Sequence, residues 1–416
     1  MEITLEKHKK LFLFLMVVFL PFFYSSQSQA IPAFARSHKI SCTSCHAAFP
    51  SLNSFGRAFK TNGYRIQPVS ASTVNSDFSK SVSQFPIAMA VVSRPYLHSE
   101  PGGSAKGTTE IRAIHEGELF VGGVLYKKIS GFFEMETEGE DGFGVATEHM
   151  TLNYDYSDNV HFQMAYAPSF SADPYDTLSN MRNLSVEDYN ITSDTFNYDS
   201  TVYRNADNDG KLQHPRQQFS VFGRVLNNQL FYNLGVGGLT EDKIGSESTT
   251  AFARLAFDFT PSLMLGGFYL SGTCDTNMSV DGGATCNVGN TIATKNRNFT
   301  RSGFDFQLDF NKFRFTSVFL KATDDGFNSG ADQTNSDYYI QMVYFGNASN
   351  HQIVPLLRYQ SSENNNGKDV TKRVIAGVTC YVQQNFKATI EYGTDTSVPA
   401  GADKSSNTSL QFVAAF

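Results

Sequence analysis

The chain has no tryptophan and only five cysteines among its 416 residues. Beyond about residue 24 it has no apolar run long enough to make a membrane-spanning helix. So few cysteines exclude a small disulfide-stapled scaffold, and the missing apolar runs exclude a helical membrane protein. Basic residues are scarce too: 33 Lys and Arg stand against 40 Asp and Glu, a net charge of −7 with no basic cluster. That balance argues against nucleic acid as a partner. What is abundant is aromatic surface, 37 Phe and 19 Tyr, which calls for an extensive apolar environment.

The first thirty residues read as an export signal. Lys7, Lys9 and Lys10 precede an apolar stretch from Leu11 to Tyr24, and Ser28-Gln29-Ala30 forms a small-x-small cleavage site. The stretch is short for a membrane anchor and is interrupted by Pro21. Export implies an oxidising compartment, where Cys274 and Cys286 could close the Gly- and Asn-rich loop between them. Cys380 falls inside an apolar strand pattern, as a small lipid- or core-facing residue.

The remaining two cysteines stand in Cys42-Thr43-Ser44-Cys45-His46, the spacing of c-type haem attachment. Two thiols add to the haem vinyl groups, and the next residue is placed to ligate the iron from one face. A thioredoxin-like dithiol needs a βαβ context that is lacking, and a zinc site needs further Cys or His at metal spacing. After the motif, Pro50 suits a helix start, Leu52, Phe55 and Phe59 follow at helical spacing, and Asn62-Gly63 is a stop signal. Phe34, Phe49 and Tyr64 are further candidates for packing on a porphyrin. Residues 31–66 thus form a haem segment, and 67–84, rich in Ser, Thr, Val and Asn, a linker. For the second axial ligand His38, Met89, His98, His115, His149 and His161 are all open, most of the histidines reading as polar wall residues.

From residue 85 to 416 the pattern changes to period two. Phe304, Phe306, Leu308 and Phe310 alternate with Asp305, Gln307 and Asp309; Val160, Phe162, Met164 and Tyr166 alternate with His161, Gln163 and Ala165. Sixteen such segments follow one another, with tight turns alternating with longer loops, the longest from about Ser171 to Gln213. An even number of alternating strands with short turns on one side predicts an all-β outer-membrane barrel of about sixteen antiparallel strands, in contact with lipid. A soluble β-sandwich is the competing arrangement. Both ends of an even-stranded barrel lie on the short-turn side, so the haem segment should hang there, on the periplasmic side, or tuck into the mouth. Glu116, Glu118, Glu134, Glu136 and Glu138 share the polar faces of two neighbouring strands. If they face the lumen, glutamates oppose glutamates, which favours attraction of cations. Alternatively Arg224, Arg254, Arg314, Arg358 and Arg373 balance them across a hydrated wall.

The run from Pro32 to Arg36, the motif Cys42 to His46, and Phe49-Pro50-Ser51-Leu52-Asn53 with Phe55 to Tyr64 resemble the fused monohaem cytochrome–porin family of outer-membrane iron oxidases. The resemblance spans about 35 residues; beyond them only length and architecture agree. It implies one covalent haem c on Cys42 and Cys45, with His46 as axial ligand to the haem iron. It also implies an oxidoreductase activity in which extracellular Fe(II) gives one electron to the haem and a periplasmic cytochrome accepts it. Two alternatives remain: a haem-bearing diffusion porin, and a cytochrome with a donor other than iron.

Overall fold

In a computed structural model, residues 33–71, 87–103, 106–139, 142–193, 212–213, 215–238, 249–274, 297–328, 331–348, 351–364 and 366–416 are described. The export signal, most of the linker and the loop bearing Cys286 lie outside these residues. The N-terminal segment contains α1 (Ala33–His38), a 3-10 turn over Cys42–Ser44, the small hairpin β1 (His46–Ala48) and β2 (Ser51–Leu52), and α2 (Ser54–Thr61).

The barrel begins with β3 (Ile87–Glu100), β4 (Thr108–Tyr126), β5 (Ile129–Glu138), β6 (Val145–Ser157), β7 (Val160–Ala167) and β8 (Arg216–Val225). It continues through β9 (Leu230–Gly237), β10 (Thr250–Thr260), β11 (Leu263–Cys274), β12 (Arg297–Phe310), β13 (Phe313–Asn328) and β14 (Ala331–Tyr344). The last elements are β15 (Gly346–Ala348), β16 (His351–Asn364), β17 (Asp369–Gln383), β18 (Phe386–Ser397) and β19 (Ser406–Ala415). Both β14 and β15 pair with β16 and are separated only by Phe345, so they make one crossing. The sheet closes as sixteen antiparallel crossings when β19 pairs with β3. At that seam the amide of Met89 donates to the carbonyl of Phe416 at 2.8 Å, and Phe416 returns the bond at 2.9 Å.

The period-two pattern sorts the faces as expected. Phe304 and Phe310 of β12 are exposed outward, whereas Asp305 and Gln307 between them are buried toward the lumen. On β7, Phe162 and Met164 face out while His161 and Gln163 are buried. Cys380 shares the outward parity of Ala376 and Val378. No helix among the described residues is long and apolar enough to cross a membrane; the crossing is made by strands, whose closure satisfies every backbone group in lipid. The short turns tighten at residues such as Asn311, whose positive φ of 54° an asparagine tolerates.

The lumen is filled in an unexpected way. After the short strand β7 the chain turns inward, and residues 168–193, ending in α3 (Asn190–Ser193), form a plug across the barrel. Phe170, Leu178, Tyr189 and Ile191 pack on inward-facing Phe252, Phe268, Leu270, Phe299, Val318 and Leu320. Tyr189 stacks on Tyr339 with ring centroids 4.4 Å apart. Each such large side chain contributes about 1.5–3 kcal/mol by leaving water.

Candidate functional site

The N-terminal segment sits in the short-turn mouth of the barrel, inside the wall. Arg65 pairs with buried Asp155 of β6 and donates to the Lys127 carbonyl in the β4–β5 turn. Gln352 donates to the Ala47 carbonyl at 2.7 Å, and the Tyr381 hydroxyl donates to the Phe49 carbonyl at 2.5 Å. Arg314 reaches across to Ser51 Oγ at 2.6 Å and the Leu52 carbonyl at 3.2 Å. The plug holds the segment from the other side. Asp176 accepts from Ser51 Oγ at 2.5 Å and from the Leu52 amide at 3.1 Å, while Lys60 Nζ donates to the Ser171 and Asp173 carbonyls. Segment, plug and wall are one packed body.

Within it the Cys42–His46 turn is held by Asn53. This residue caps α2 by accepting from the Gly56 amide at 2.9 Å, and its Nδ2 donates to the carbonyls of Thr43 and Ser44. Gly56 lies against the turn so closely that a Cβ there would overlap the Cys45 carbonyl. Cys42 and Cys45 are free thiols, and burial pushes both above the usual thiol range. The His46 Nδ1 is 2.9 Å from the Pro50 carbonyl oxygen. Since a carbonyl only accepts, Nδ1 carries the proton and Nε2 keeps its lone pair for a metal. Burial also lowers the His46 imidazole below its ordinary range, favouring the neutral, ligating form.

Cys42, Cys45 and His46 all line one cavity of about 1710 Å³, walled near them by Phe34, Leu52, Phe59 and Tyr64. It exceeds the roughly 300–1,000 Å³ of an ordinary small-molecule pocket. Phe34 stacks on Tyr64 at 5.2 Å and meets Phe59 edge-on at 5.3 Å. Tyr64 in turn approaches Phe132 of the wall, and Phe132 approaches Phe120. Two thiols, a nitrogen with a fixed tautomer and a surrounding aromatic cluster could together hold a porphyrin; no motif residue conflicts with one.

The other candidates scatter. Met89 has the outward parity of β3, beside exposed Ile87. His98 hydrogen-bonds Thr109 and Glu100 at the long-loop end. His38 packs edge-on against Phe59. His161 is bound through Nδ1 to Asp155 at 2.8 Å. His115 and His149 stand on the glutamate wall. Sequence reasoning passed over Met181 of the plug, which lines the same cavity as the motif and carries a thioether able to ligate iron.

The glutamates do face one another: Glu116 is registered with Glu138 and Glu118 with Glu136, and all four line the cavity with Glu134 and Glu148. The expectation that five arginines balance them is corrected by their geometry. Arg254 forks onto Asp305 at 2.5 and 2.8 Å and reaches Asp173 of the plug at 3.3 Å. Arg314 pairs with Asp309 and Asp176, Arg224 with Asp258, and Arg373 with Glu187 and Asp395. Arg358 donates to the Glu187 and Asp188 carbonyls and lies over the Tyr189 ring. These cations hold the plug in place, and of the five only Arg373 also lines the cavity of the glutamates.

Solved structures of bacterial porins share this architecture. The anion-selective porin of Comamonas acidovorans superimposes with a TM-score of 0.58 over 79% of this chain and 99% of its own, at 11% identity. OmpF of Salmonella typhi gives 0.55 over 80% and 98%, at 10% identity. OprB of Pseudomonas putida gives 0.54 over 81% and 96%, at 9% identity. No protein-family model matches the chain, and no curated protein matches it in sequence. At such identities the likeness is one of fold: the chain is similar to porins as a closed outer-membrane-type barrel.

Proposed function

We propose that this chain is an outer-membrane electron conduit, in which Fe(II) outside the cell loses one electron to a covalent c-type haem and a periplasmic cytochrome takes that electron on. The observation that carries the reading is the placement of the Cys42–His46 turn. It lies inside the mouth of a lipid-embedded barrel, with His46 Nε2 uncommitted and the cavity running from it to the glutamate wall. When bound, haem supplies a one-electron store at its iron. The protein's own residues do the rest. Cys42 and Cys45 would hold the haem through thioethers, His46, oriented by Pro50, would ligate its iron, and Phe34, Phe59 and Tyr64 would shield it from water. Each Fe(II) becomes Fe(III), one electron enters and one leaves, so the barrel need pass no iron. The resemblance of residues 32–64 to the fused monohaem cytochrome–porin family supports the same reading.

The test is a visible spectrum of the membrane fraction titrated with Fe(II). Growth of a reduced c-type α-band, absent in Cys42→Ala/Cys45→Ala, is the expected result; an intact haem spectrum that Fe(II) never reduces at any accessible pH removes iron from the account. The second reading is a diffusion porin, favoured by the porin-like fold. It predicts conductance in planar bilayers that survives loss of both cysteines, with no redox phenotype.

A further inference from the structure

We infer that Lys387 is a positioning residue for the haem, its ammonium holding a propionate of the ring. The inference rests on the haem of the proposed function and adds what grips the polar edge of that group. Five Lys and Arg side chains line the cavity of the motif: Lys60, Arg94, Arg182, Arg373 and Lys387. Four of them are engaged. Lys60 donates to two plug carbonyls, Arg94 Nε donates to Gln411 Oε1 at 2.7 Å, Arg182 pairs with Asp176, and Arg373 pairs with Glu187. Lys387 has no hydrogen bond or ion pair among the described residues; its Nζ lies over the Phe49 ring, 5.8 Å from the centroid. The carboxylate whose charge reaches it is Glu118 of β4, three strands round the wall, with no ion pair between them. An ammonium turned into a cavity without a counter-charge is costly, and a carboxylate brought by a ligand removes that cost.

Register sets the lysine beside an apolar bed. On β18 it stands opposite Tyr381 of β17, whose hydroxyl holds the Phe49 carbonyl, and opposite Val413 of β19. Across the seam Val413 is registered with Val92 and Ala415 with Ala90. Ala88, Val92, Val413 and Ala415 are buried, and all four line the same cavity as the motif. None belongs to the apolar clusters that the plug and the N-terminal segment make with the wall. Inward apolar residues call for an apolar cover, and side chains this small leave room for a flat ring. A strip of this kind edged by one cation matches a porphyrin, which is apolar on its faces and charged at its propionates. In haem the vinyl groups and the propionates occupy opposite edges. A ring pinned through Cys42 and Cys45 therefore directs its carboxylates away from the turn, into the cavity that Lys387 lines.

The experiment uses full-length, haem-loaded protein in detergent and compares Lys387→Met, Lys387→Arg and Lys368→Met, the last in an exposed loop. Two readouts are taken: the resonance Raman band of propionate bending, which reports hydrogen bonding to the carboxylate, and the haem midpoint potential. In Lys387→Met the band should shift and the potential should fall, because a carboxylate without its counter-charge favours Fe(III) over Fe(II). Lys387→Arg should restore both, and Lys368→Met should change neither. Haem staining of gels checks covalent attachment, and Lys387→Gln is read if Lys387→Met loads no haem. Loading by Lys387→Arg but by neither neutral variant upholds the inference; failure of all three overturns it. An unmoved band in a haem-loaded neutral variant also overturns it, even if the potential falls, since a charge acting through space leaves the carboxylate's hydrogen bonds as they were. A shifted band in a haem that Fe(II) never reduces upholds Lys387 and removes iron from the account. Wild type without covalent haem overturns this inference and the haem reading together.

Discussion

At position 56 a methyl group would meet the Cys45 carbonyl, so Gly56→Ala must push α2 off the turn that carries both thiols. Overpacking of this kind costs about 1–3 kcal/mol. The expected outcome is a closed barrel with reduced haem incorporation, read by haem staining of gels. Lys60 offers a pH signature. Loss of solvent pushes its ammonium well below the ordinary value of 10.5, so in the interval between the lowered value and 10.5 the unfolded chain binds more protons than the folded one. Stability contributed at this position therefore rises with pH across that window. Protease resistance of the N-terminal segment should increase as the pH rises toward 10.5, and Lys60→Met should flatten the slope.

Among the elements, one carboxylate gathers the plug at residues 185–187, beside the contacts of Arg373 and Arg358 to Glu187. Glu391 of β18 accepts from Ser185 Oγ at 2.6 Å, from the Val186 amide at 3.0 Å and from the Glu187 amide at 2.8 Å. Bonds to a charged acceptor are worth about 1.5–3 kcal/mol each, so Glu391→Ala should free this stretch while leaving the sheet closed. Faster proteolysis near residue 186 and larger single-channel currents are the expected readouts. The plug also marks where sequence reading stopped. The strands were legible because one face meets lipid and the other does not, as at Phe304 and Asp305. On β11, however, Met264, Phe268 and Leu270 are apolar on the inward face as well. Apolar residues on both faces imply protein on both faces, and that signal pointed to a covered lumen. Which segment covers it depends on the 168–193 backbone turning inward, a tertiary choice with no periodic signature. For the candidate site, the motif residues were legible from spacing. The role of Asp176 was not, because the Ser51 hydroxyl and Leu52 amide that donate to it lie more than a hundred residues earlier in the chain.

For the whole molecule, stability divides between an oily exterior and a lumen packed with charge pairs. Phe304→Arg on the outer face should cost about 2–4 kcal/mol near the bilayer midplane. Asp305→Ala on the adjacent inner position should cost about 3–5 kcal/mol, since it leaves the buried Arg254 only its longer pair with Asp173. Urea unfolding from lipid vesicles would compare the two, and only the first should depend on bilayer thickness. Because ten Asp and Glu residues line the cavity against five Lys and Arg, the open part of the lumen is electrically lopsided. Whatever small ions still leak through should then carry current of one sign, and a salt gradient across a planar bilayer should produce a zero-current voltage set by potassium rather than by chloride.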